Sequence, residues 1–511
     1  MKSFLALLLF LASFLDCTLG QKHDYNWMRG QRAKGDPDYM GDLFNFNKSP
    51  VEKIPRDAKL PIRETSTTSS DVDGNLLFYT NGDDVIDRFG NLMKNGSWLS
   101  PGGYSEDYRG IGFPHPQGIL SLPIPNNNKK FMLFHYPFES IWNDPKYGST
   151  ILRTKLLTSV VDISLNNGLG EVVDKNTNIV SDTMGAMHLT ACKHANGRDW
   201  WILAFPYFSD SYYRLLLSPA GIKNFGLTKL TDTIVENSGL FYSYFTNNGE
   251  KYVRYNAKYY LKPNELRIYD FDRCKGELHN ENLINIPVDS SILAGLSLSA
   301  NSRFIYAINE GRIWQLDLES KNIEASMVKV AEYDGTKEPW PLKFYAAQLA
   351  PDGKIYICTS NGSKKWHVID KPNEKGVACN VIQHGVQLNG WDLNTMPNFP
   401  NYRLGPLKGS PCDTLSVATK ELSPADYGLK VFPNPASDRI QIDITLPHYD
   451  PSTKTEVVIA DLSGEIVQKY IMPDFAYLAT LDVSKLASGV YSVQLRQRNK
   501  VLAVEKLVVV R

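Results

Sequence analysis

The sequence predicts an all-β protein in which a β-propeller of about seven blades precedes a small Ig-like β-sandwich. Residues 21–410 lack long runs with helical periodicity and consist of short apolar and aromatic stretches separated by Asn, Gly, Asp and Pro, a pattern typical of strands and turns. A polar turn followed by such a stretch recurs along this region at a nearly constant interval. Residues 428–511 contain a second, more compact series of strand-like runs.

The recurring unit is visible in "DGNLLFYTNG", "NGRDWWILAF", "NSRFIYAI" and "DGKIYICT". A period near 50 residues is expected for propeller blades of four strands, each of which packs against its neighbours. About 390 residues at this spacing correspond to roughly seven blades. Two packed sandwiches would also contain many short strands, but they lack the longer repeat, so the spacing favours the propeller. The turns are marked by Gly74, Asn128, Gly197, Gly249, Ser302 and Gly353, which are separated by 54, 69, 52, 53 and 51 residues.

The end of the chain forms a separate predicted domain. Residues 411–427 are small and polar without periodicity, as in a linker. Residues 428–511 alternate between apolar and polar positions in short runs with turn signals, as in a small β-sandwich.

The first residues have the features of a secretory signal peptide. Lys2 precedes an apolar run over residues 4–15, and small residues follow, so residues 1–20 are predicted to be removed by cleavage between Gly20 and Gln21. Lipidation at Cys17 is the alternative, and it is disfavoured because an aspartate precedes the cysteine. The apolar run is shorter than the roughly 20 residues that a membrane-spanning helix needs, and no later stretch qualifies. We therefore expect an exported protein without a membrane span.

Charge balance argues against some classes of binding partner, and the cysteine count limits the possible disulfide bonds. Lys+Arg and Asp+Glu are equal at 55 each, so no net field favours nucleic acid or an anionic membrane. Five cysteines would remain after signal cleavage, an odd number that leaves at least one thiol free or paired between chains. None has the close spacing of a zinc or redox motif, which favours buried thiols with room for one disulfide. They are Cys192, Cys274, Cys358, Cys379 and Cys412.

Searches for catalytic motifs find no H-E-x-x-H, P-loop or C-x-x-C sequence, and we predict no catalytic residue, metal ligand or cofactor. "GLSLS" ends at Ser299, where a nucleophile elbow requires glycine and a following helix, so a core strand is the better interpretation. His188 and His194 are interpreted as one packed and one turn histidine.

Four aspartates crowd one short stretch, "DVDGNLLFYTNGDD". Asp71 and Asp73 lack the spacing of an EF-hand, so turn roles are favoured. A glycosidase pair that includes Asp83 or Asp84 stays open, because such carboxylates need only be close in space. The 27 Tyr, 9 Trp and 22 Phe would supply surfaces for sugar or protein binding, although blade cores consume most aromatic residues.

Four motifs in the tail occur in a fixed order: "KVFPNPASDRI", "DLSGEIV", "LDVSKLASGVYSVQL" and "EKLVVVR". Together they resemble the type A C-terminal sorting domain of the type IX secretion system of Bacteroidota. Two prolines suggest an extended segment, the middle motif a turn, and a glycine a bend before a packed tyrosine. The residues assigned to the sorting signal are Pro433, Asn434, Pro435, Asp461, Gly464, Gly489, Tyr491, Lys506, Leu507 and Val508.

This resemblance implies a route and partners. Such a protein crosses the inner membrane by its signal peptide, folds in the periplasm, and passes an outer-membrane translocon that recognises the tail. A sortase-like peptidase commonly removes the tail, and the protein is then released or attached to surface lipopolysaccharide.

The body resembles the repeat-type propeller of many type IX cargo and gliding-motility-associated proteins, on stretches such as "LTACKHANGRDWWIL" and "AAQLAPDGKIYI". Thr395 and Met396 stand where Gly-Leu is more usual. The resemblance implies fold and export, without an activity.

Three functions are therefore considered. The leading hypothesis is a secreted or cell-surface, non-enzymatic propeller that binds a protein or glycan through one face of the ring. The alternatives are a secreted hydrolase of polysaccharide or peptide, with carboxylates near the ring axis, and a structural component of the gliding-motility or secretion apparatus.

Overall fold

A computed structural model describes residues 21–31, 34–144, 148–185, 188–207, 209–230, 241–257, 263–287, 293–413, 428–445, 454–461, 465–472, 478–497 and 500–511. The chain divides into two compact units, residues 1–413 and 414–511. Each unit is a β-structure with its own core.

The first unit is a β-propeller built, in its described part, from seven antiparallel sheets. Sheets 1 and 2 have three strands each and sheets 3 to 7 have four. Sheet 1 contains β1 (Asn26–Arg29), β2 (Asp42–Asn45) and β3 (Glu52–Pro55); sheet 2 contains β4 (Thr67–Ser70), β5 (Leu76–Thr80) and β6 (Val85–Asp87); sheet 3 contains β7 (Ile119–Pro123), β8 (Lys130–His135), β11 (Leu156–Asp162) and β12 (Glu171–Val180).

The remaining sheets follow in chain order. Sheet 4 contains β13 (Thr190–Lys193), β14 (Trp200–Ala204), β15 (Ser211–Ser218) and β16 (Gly221–Lys229); sheet 5 contains β17 (Phe241–Phe245), β18 (Lys251–Asn256), β19 (Asn264–Asp272) and β20 (Glu277–Ile286); sheet 6 contains β21 (Ala294–Leu298), β22 (Phe304–Asn309), β23 (Arg312–Asp317) and β24 (Val328–Glu332); sheet 7 contains β25 (Phe344–Leu349), β26 (Ile355–Thr359), β27 (Ser363–Ile369) and β28 (Val381–Asp392).

Helix is confined to short pieces in the described chain. A two-stranded hairpin lies outside the sheets and is inserted between β8 and β11. These additions are the hairpin strands β9 (Glu139–Asp144) and β10 (Gly148–Leu152), the helix α1 (Gly103–Tyr108), and the 3-10 turns Pro37–Tyr39, Asn166–Gly168, Glu324–Ser326 and Gly376–Cys379.

The spacing of turns in the sequence corresponds to the spacing of blades in the structure. Each marker, from Gly74 to Gly353, lies in the turn that joins the first strand of a sheet to its second strand. The single long step, from Asn128 to Gly197, contains the inserted β9–β10 hairpin. The expected propeller is thereby confirmed, and the one irregular interval has a structural cause.

Sheets 1 and 7 meet where the ring closes. Arg29 and Asp42, both fully buried, form an ion pair. The Arg29 guanidinium also donates to the backbone oxygens of Gly390, at 3.1 Å, and Trp391, at 3.3 Å. A side chain at Gly390 would lie 2.4 Å from the Met40 backbone oxygen, so the two sheets approach closely at this point.

Residues 395–407, here called the axial segment, follow the last strand and join several blades. The Asn398 side-chain amide donates to the backbone oxygens of Ile119, at 2.9 Å, and Leu189, at 2.8 Å, while its backbone N–H donates to Ser66 at 3.0 Å. These three oxygens lie at the starts of β7, β13 and β4. One residue, through its side chain and its backbone, therefore ties sheets 2, 3 and 4 together.

The same segment lines the inner side of sheet 1. Phe399 packs against Trp27, with ring centroids 5.9 Å apart. Arg403 forms a bidentate ion pair with Asp24, with N–O distances of 2.6 and 2.7 Å. The C-terminal end of the propeller thus completes the blade with which the propeller begins.

The second unit is an Ig-like sandwich of two sheets, with orders β29-β30-β33 and β32-β31-β34-β35. Its core contains Ile440, Ile442, Val457, Val493 and Leu507, all fully buried. The strands are β29 (Gly428–Phe432), β30 (Arg439–Thr445), β31 (Thr455–Ala460), β32 (Ile466–Ile471), β33 (Leu478–Asp482), β34 (Gly489–Gln497) and β35 (Lys500–Val509).

Candidate functional site

An open groove of about 760 Å³ lies on the ring face at which the innermost strands begin, here called the upper face. Its position follows from the register of sheet 2, in which Thr80, the last residue of β5, pairs with Thr67, the first residue of β4. Its size is within the range of small-molecule sites. The groove is named the Asp84 groove and is lined by Gln31, Lys34, Asp36, Tyr39, Lys59, Leu60, Pro61, Asp84, Arg109, Gly110, Ile111 and Leu393.

The acidic turn "NGDD" shapes the floor of this groove. The Asn81 side-chain oxygen accepts hydrogen bonds from the backbone N–H groups of Asp83, at 3.2 Å, and Asp84, at 3.1 Å. The Asn81 amide in turn donates to the Pro61 backbone oxygen at 3.1 Å. Asn is favoured in such turns because its side chain replaces a backbone acceptor. The turn therefore holds Asp83 inward, where it is buried, and Asp84 toward the groove.

Arg109 connects the acidic turn to an aromatic side chain. Its guanidinium lies 2.6 Å from the Asp83 carboxylate and 3.4 Å from the ring centroid of Trp98. The Trp98 backbone N–H donates to the Asp84 carboxylate, and the Asn176 side chain donates to the Trp98 backbone oxygen at 2.9 Å. A cation stacked on an indole and paired with a carboxylate has little freedom to reorient.

Burial makes the two carboxylates unusual. Desolvation and the neighbouring Asp84 raise the pKa of Asp83 to about 6, although Arg109 opposes the rise. Desolvation likewise raises the pKa of Asp84, again against Arg109. Carboxyl groups with shifted pKa values are common in functional sites, and one of these two carboxylates, that of Asp84, lines the groove.

This pKa gives a testable pH dependence. A folded-state pKa above the unfolded value means that the native protein binds a proton more tightly, so stability is present at low pH and is lost as pH rises through about 6. Asp83→Asn cannot ionise. We expect its free energy of unfolding, relative to the parent, to rise by up to about 3 kcal/mol between pH 4 and pH 7. Urea titrations of both proteins across this range measure it; a pH-independent difference would contradict the assigned pKa.

The groove combines apolar side chains with polar groups. Of its lining residues, Tyr39 is 43% exposed and Ile111 is 50% exposed, and Trp98, which stacks on the lining residue Arg109, is 43% exposed. Exposed aromatic rings beside carboxylate and guanidinium groups suit ligands that have both apolar faces and hydroxyl groups. In the described ranges, no group of three or more His, Cys, Asp or Glu side chains is placed to hold a metal ion.

The central channel offers far less room. At the lower face, a cavity of about 50 Å³ is lined by inner strands and by Phe399, Asn401 and Leu404 of the axial segment. This volume is far below that of a typical small-molecule site. Asp83 and Asp84, by contrast, follow the second strand of their sheet, so the carboxylates are not at the axis that the sequence-based hydrolase hypothesis assumed.

The other candidate residues from the sequence lie in turns or in the protein interior. Asp71 accepts hydrogen bonds from the backbone N–H groups of Asp73 and Asn75 in a blade turn. His188 is buried before β13, whereas His194 lies in the turn after it and donates through Nε2 to the Cys274 backbone oxygen, 3.1 Å away. Ser299 directly follows β21 and bonds to Asn301 in a turn, not in a nucleophile elbow.

In the second unit, the first and last motifs of the tail are in contact. The Asn434 side-chain amide donates to the Lys506 backbone oxygen at 2.5 Å, and its oxygen accepts from the Val508 N–H at 2.9 Å. Pro433 and Pro435 lie in the bend that presents this side chain, not in the extended segment expected from the sequence. Leu507, between the two bonded residues, is fully buried in the sandwich core.

The middle motifs also take specific positions. The Asp461 backbone N–H donates to the Glu465 oxygen at 3.0 Å, which closes a hairpin turn; Gly464 lies outside the described residues. Gly489 begins β34 and pairs with Val509, so the expected bend at this glycine is replaced by a strand. The Tyr491 hydroxyl donates to the Ala487 backbone oxygen at 2.9 Å.

Residues 430–510 match the family model described as "Secretion system C-terminal sorting domain". The tail is a type IX sorting domain. The chain is accordingly a propeller cargo of the type IX secretion system, which delivers proteins to the cell surface or the medium. No helix within the described ranges has the length and apolar character that crossing a membrane requires.

Solved structures with similar folds include three β-rich proteins. AztD from Citrobacter koseri is 11% identical over 72% of this chain and 96% of its own, with a TM-score of 0.35. The Cps50 (Swd1) β-propeller domain of Myceliophteria thermophila is 14% identical over 66% and 94%, with a TM-score of 0.33. A quinonprotein alcohol dehydrogenase-like protein from Bacteroides thetaiotaomicron is 11% identical over 73% and 76%, with a TM-score of 0.32.

These similarities are too low to transfer an activity from any of the three proteins. Curated proteins include none with significant similarity to this sequence.

Proposed function

We propose that this type IX cargo is a non-enzymatic glycan-binding protein that displays the Asp84 groove at the cell surface or in the medium. The supporting observation is the groove itself, about 760 Å³ in volume, with Tyr39 in its lining and Trp98 stacked on the lining residue Arg109. A sugar ring presents an apolar face for stacking on an aromatic ring and hydroxyl groups for hydrogen bonding. Asp84 and Arg109 provide the acceptor and donor beside these rings.

The proposed route includes a signal peptide, residues 1–20, cleaved between Gly20 and Gln21; Gly20 lies outside the described residues. It also includes recognition of the sorting domain by the translocon and its removal by a sortase-like peptidase. The contact between the first and last motifs through Asn434 supports recognition of a folded tail, because those motifs form one surface only when the sandwich is assembled.

Removing the Trp98 indole should weaken glycan binding. Trp98→Ala deletes the indole that stacks on Arg109 and offers exposed apolar area, and stacking of this kind contributes about 1–2 kcal/mol. We expect an affinity loss of about tenfold or more on the glycan that an array of bacterial and plant polysaccharide fragments identifies. Isothermal titration calorimetry of the purified full chain measures the change.

Phe225→Ala provides the matched control. Phe225 is a similarly exposed aromatic residue, 40% exposed, on the outer strand β16 of a different sheet. Its loss should leave affinity unchanged. Failure of the parent protein to bind any glycan on the array, or equal losses in both variants, would argue against the groove as a glycan site.

A secreted hydrolase is the second candidate, and the raised pKa of Asp83 is the observation that favours it. A carboxyl group protonated near neutral pH is suited to general acid catalysis. Turnover of the bound polysaccharide, with a rate that falls at least a hundredfold in Asp83→Asn and declines above about pH 6, would establish this function. Binding without turnover would support the non-enzymatic proposal.

A further inference from the structure

Two partly exposed cysteines lie side by side at the end of the propeller. Cys274 is in the turn between β19 and β20, and Cys412 is near the end of the first unit. Burial and the neighbouring Cys274 thiol raise the pKa of the Cys412 thiol to about 11, so the two thiols interact although they are 138 residues apart in the chain.

Backbone hydrogen bonds hold the two segments together. The Leu407 N–H donates to the Ala195 oxygen, and the Ala195 N–H donates to the Arg273 oxygen, at 2.8 and 2.9 Å. The Arg273 guanidinium donates to the Gly405 oxygen at 2.5 Å. The chain that carries Cys412 is therefore anchored beside the residue that precedes Cys274.

The other three cysteines of the described chain are placed differently. Cys192, Cys358 and Cys379 are buried in hydrophobic clusters, 3% exposed or less. Burial raises the pKa of Cys192 to about 12, so its reactive thiolate is scarce at neutral pH. Only the Cys274–Cys412 pair, among the described cysteines, combines partial exposure with contact between two thiols.

We propose that Cys274 and Cys412 form a disulfide bond in the exported protein. The reaction forms one S–S bond, and the two thiols lose two protons and two electrons. An oxidised dithiol of a thiol oxidoreductase accepts the electrons by thiol–disulfide exchange and is reduced to two thiols. Export takes the protein out of the reducing cytoplasm, where such bonds rarely persist. The bond would fasten the chain that follows the axial segment to sheet 5.

The test uses the protein as it is collected from the surface or medium of the exporting host. Alkylation of free thiols before unfolding, followed by non-reducing digestion and mass spectrometry, should show the peptide of Cys274 linked to that of Cys412. Cys192, Cys358 and Cys379 should react only after unfolding. Recovery of Cys274 and Cys412 as alkylated free thiols, or in bonds to other cysteines, would refute the proposal.

A second measurement links the bond to stability. Dithiothreitol should lower the thermal midpoint of the parent by about 5 °C, because it opens a long covalent loop. It should have no such effect on Cys412→Ser. Cys379→Ser is the control: this buried substitution lowers the midpoint by itself, but the effect of dithiothreitol should persist. A reductant effect in Cys412→Ser equal to that in the parent would contradict the assignment.

Discussion

Deletion of residues 414–511 is expected to abolish delivery to the cell surface and medium and to leave the propeller folded. The deleted residues form a separate compact unit with its own core, so their loss removes no contact inside the propeller sheets. They also contain the whole sorting domain. In a Bacteroidota host with a type IX system, immunoblots of cell fractions should show the truncated protein in the periplasm, with the thermal unfolding transition of the propeller retained.

The reciprocal fusion is the control for this deletion. Residues 414–511 attached to a periplasmic reporter protein should direct that reporter to the surface or medium, whereas the reporter alone should stay in the periplasm. Appearance of the truncated propeller in the medium, with periplasmic markers retained in the cell, would show that the delivery signal lies elsewhere in the chain.

Arg29→Met should destabilise the propeller by about 3–5 kcal/mol. The substitution leaves the Asp42 carboxylate buried without its cation and removes the donors to the Gly390 and Trp391 oxygens. Removal of one partner from a buried ion pair is costly because the remaining charge stays buried without an opposite charge beside it. Chemical denaturation of the parent and variant, followed by tryptophan fluorescence, measures the loss.

Lys364→Met is the matched control for Arg29→Met. Lys364 pairs with Asp38 at 2.6 Å and joins the same two ends of the propeller. Its side chain is 33% exposed and that of its partner is 62% exposed, so the pair should contribute no more than about 1 kcal/mol. Similar losses in the two variants would mean that burial does not set the strength of the closing contacts.

The sequence predicted most blades because their first turns share one chemistry. Gly74, Gly197, Gly249 and Gly353 have positive φ angles, which glycine adopts without steric cost, so a repeated turn leaves a repeated residue. Sheet 1 has no such turn marker, because the longer connection of residues 30–41 replaces the tight turn between β1 and β2.

The candidate site was only partly predictable. Asp83 and Asp84 attracted notice as a local cluster, but their burial depends on Arg109 and on the loop around Trp98. These residues are distant in sequence from Tyr39, which lines the same groove. No short-range sequence pattern predicts that these residues lie close together, because their proximity results from the packing of sheets 1 and 2. The sorting motifs were recognisable, yet the bonding of Asn434 to β35 required the folded sandwich.

The axial segment sets the order of assembly. A ribosome that has completed β28 has made every sheet of the propeller, but the backbone oxygens of Ile119 and Leu189 still lack the Asn398 amide. The residues that close the ring are followed almost at once by those of the sorting domain. A nascent or truncated chain that ends early therefore lacks both the closing residues and the address. Cargo that lacks its C-terminal residues therefore also lacks the signal for delivery to the cell surface or medium.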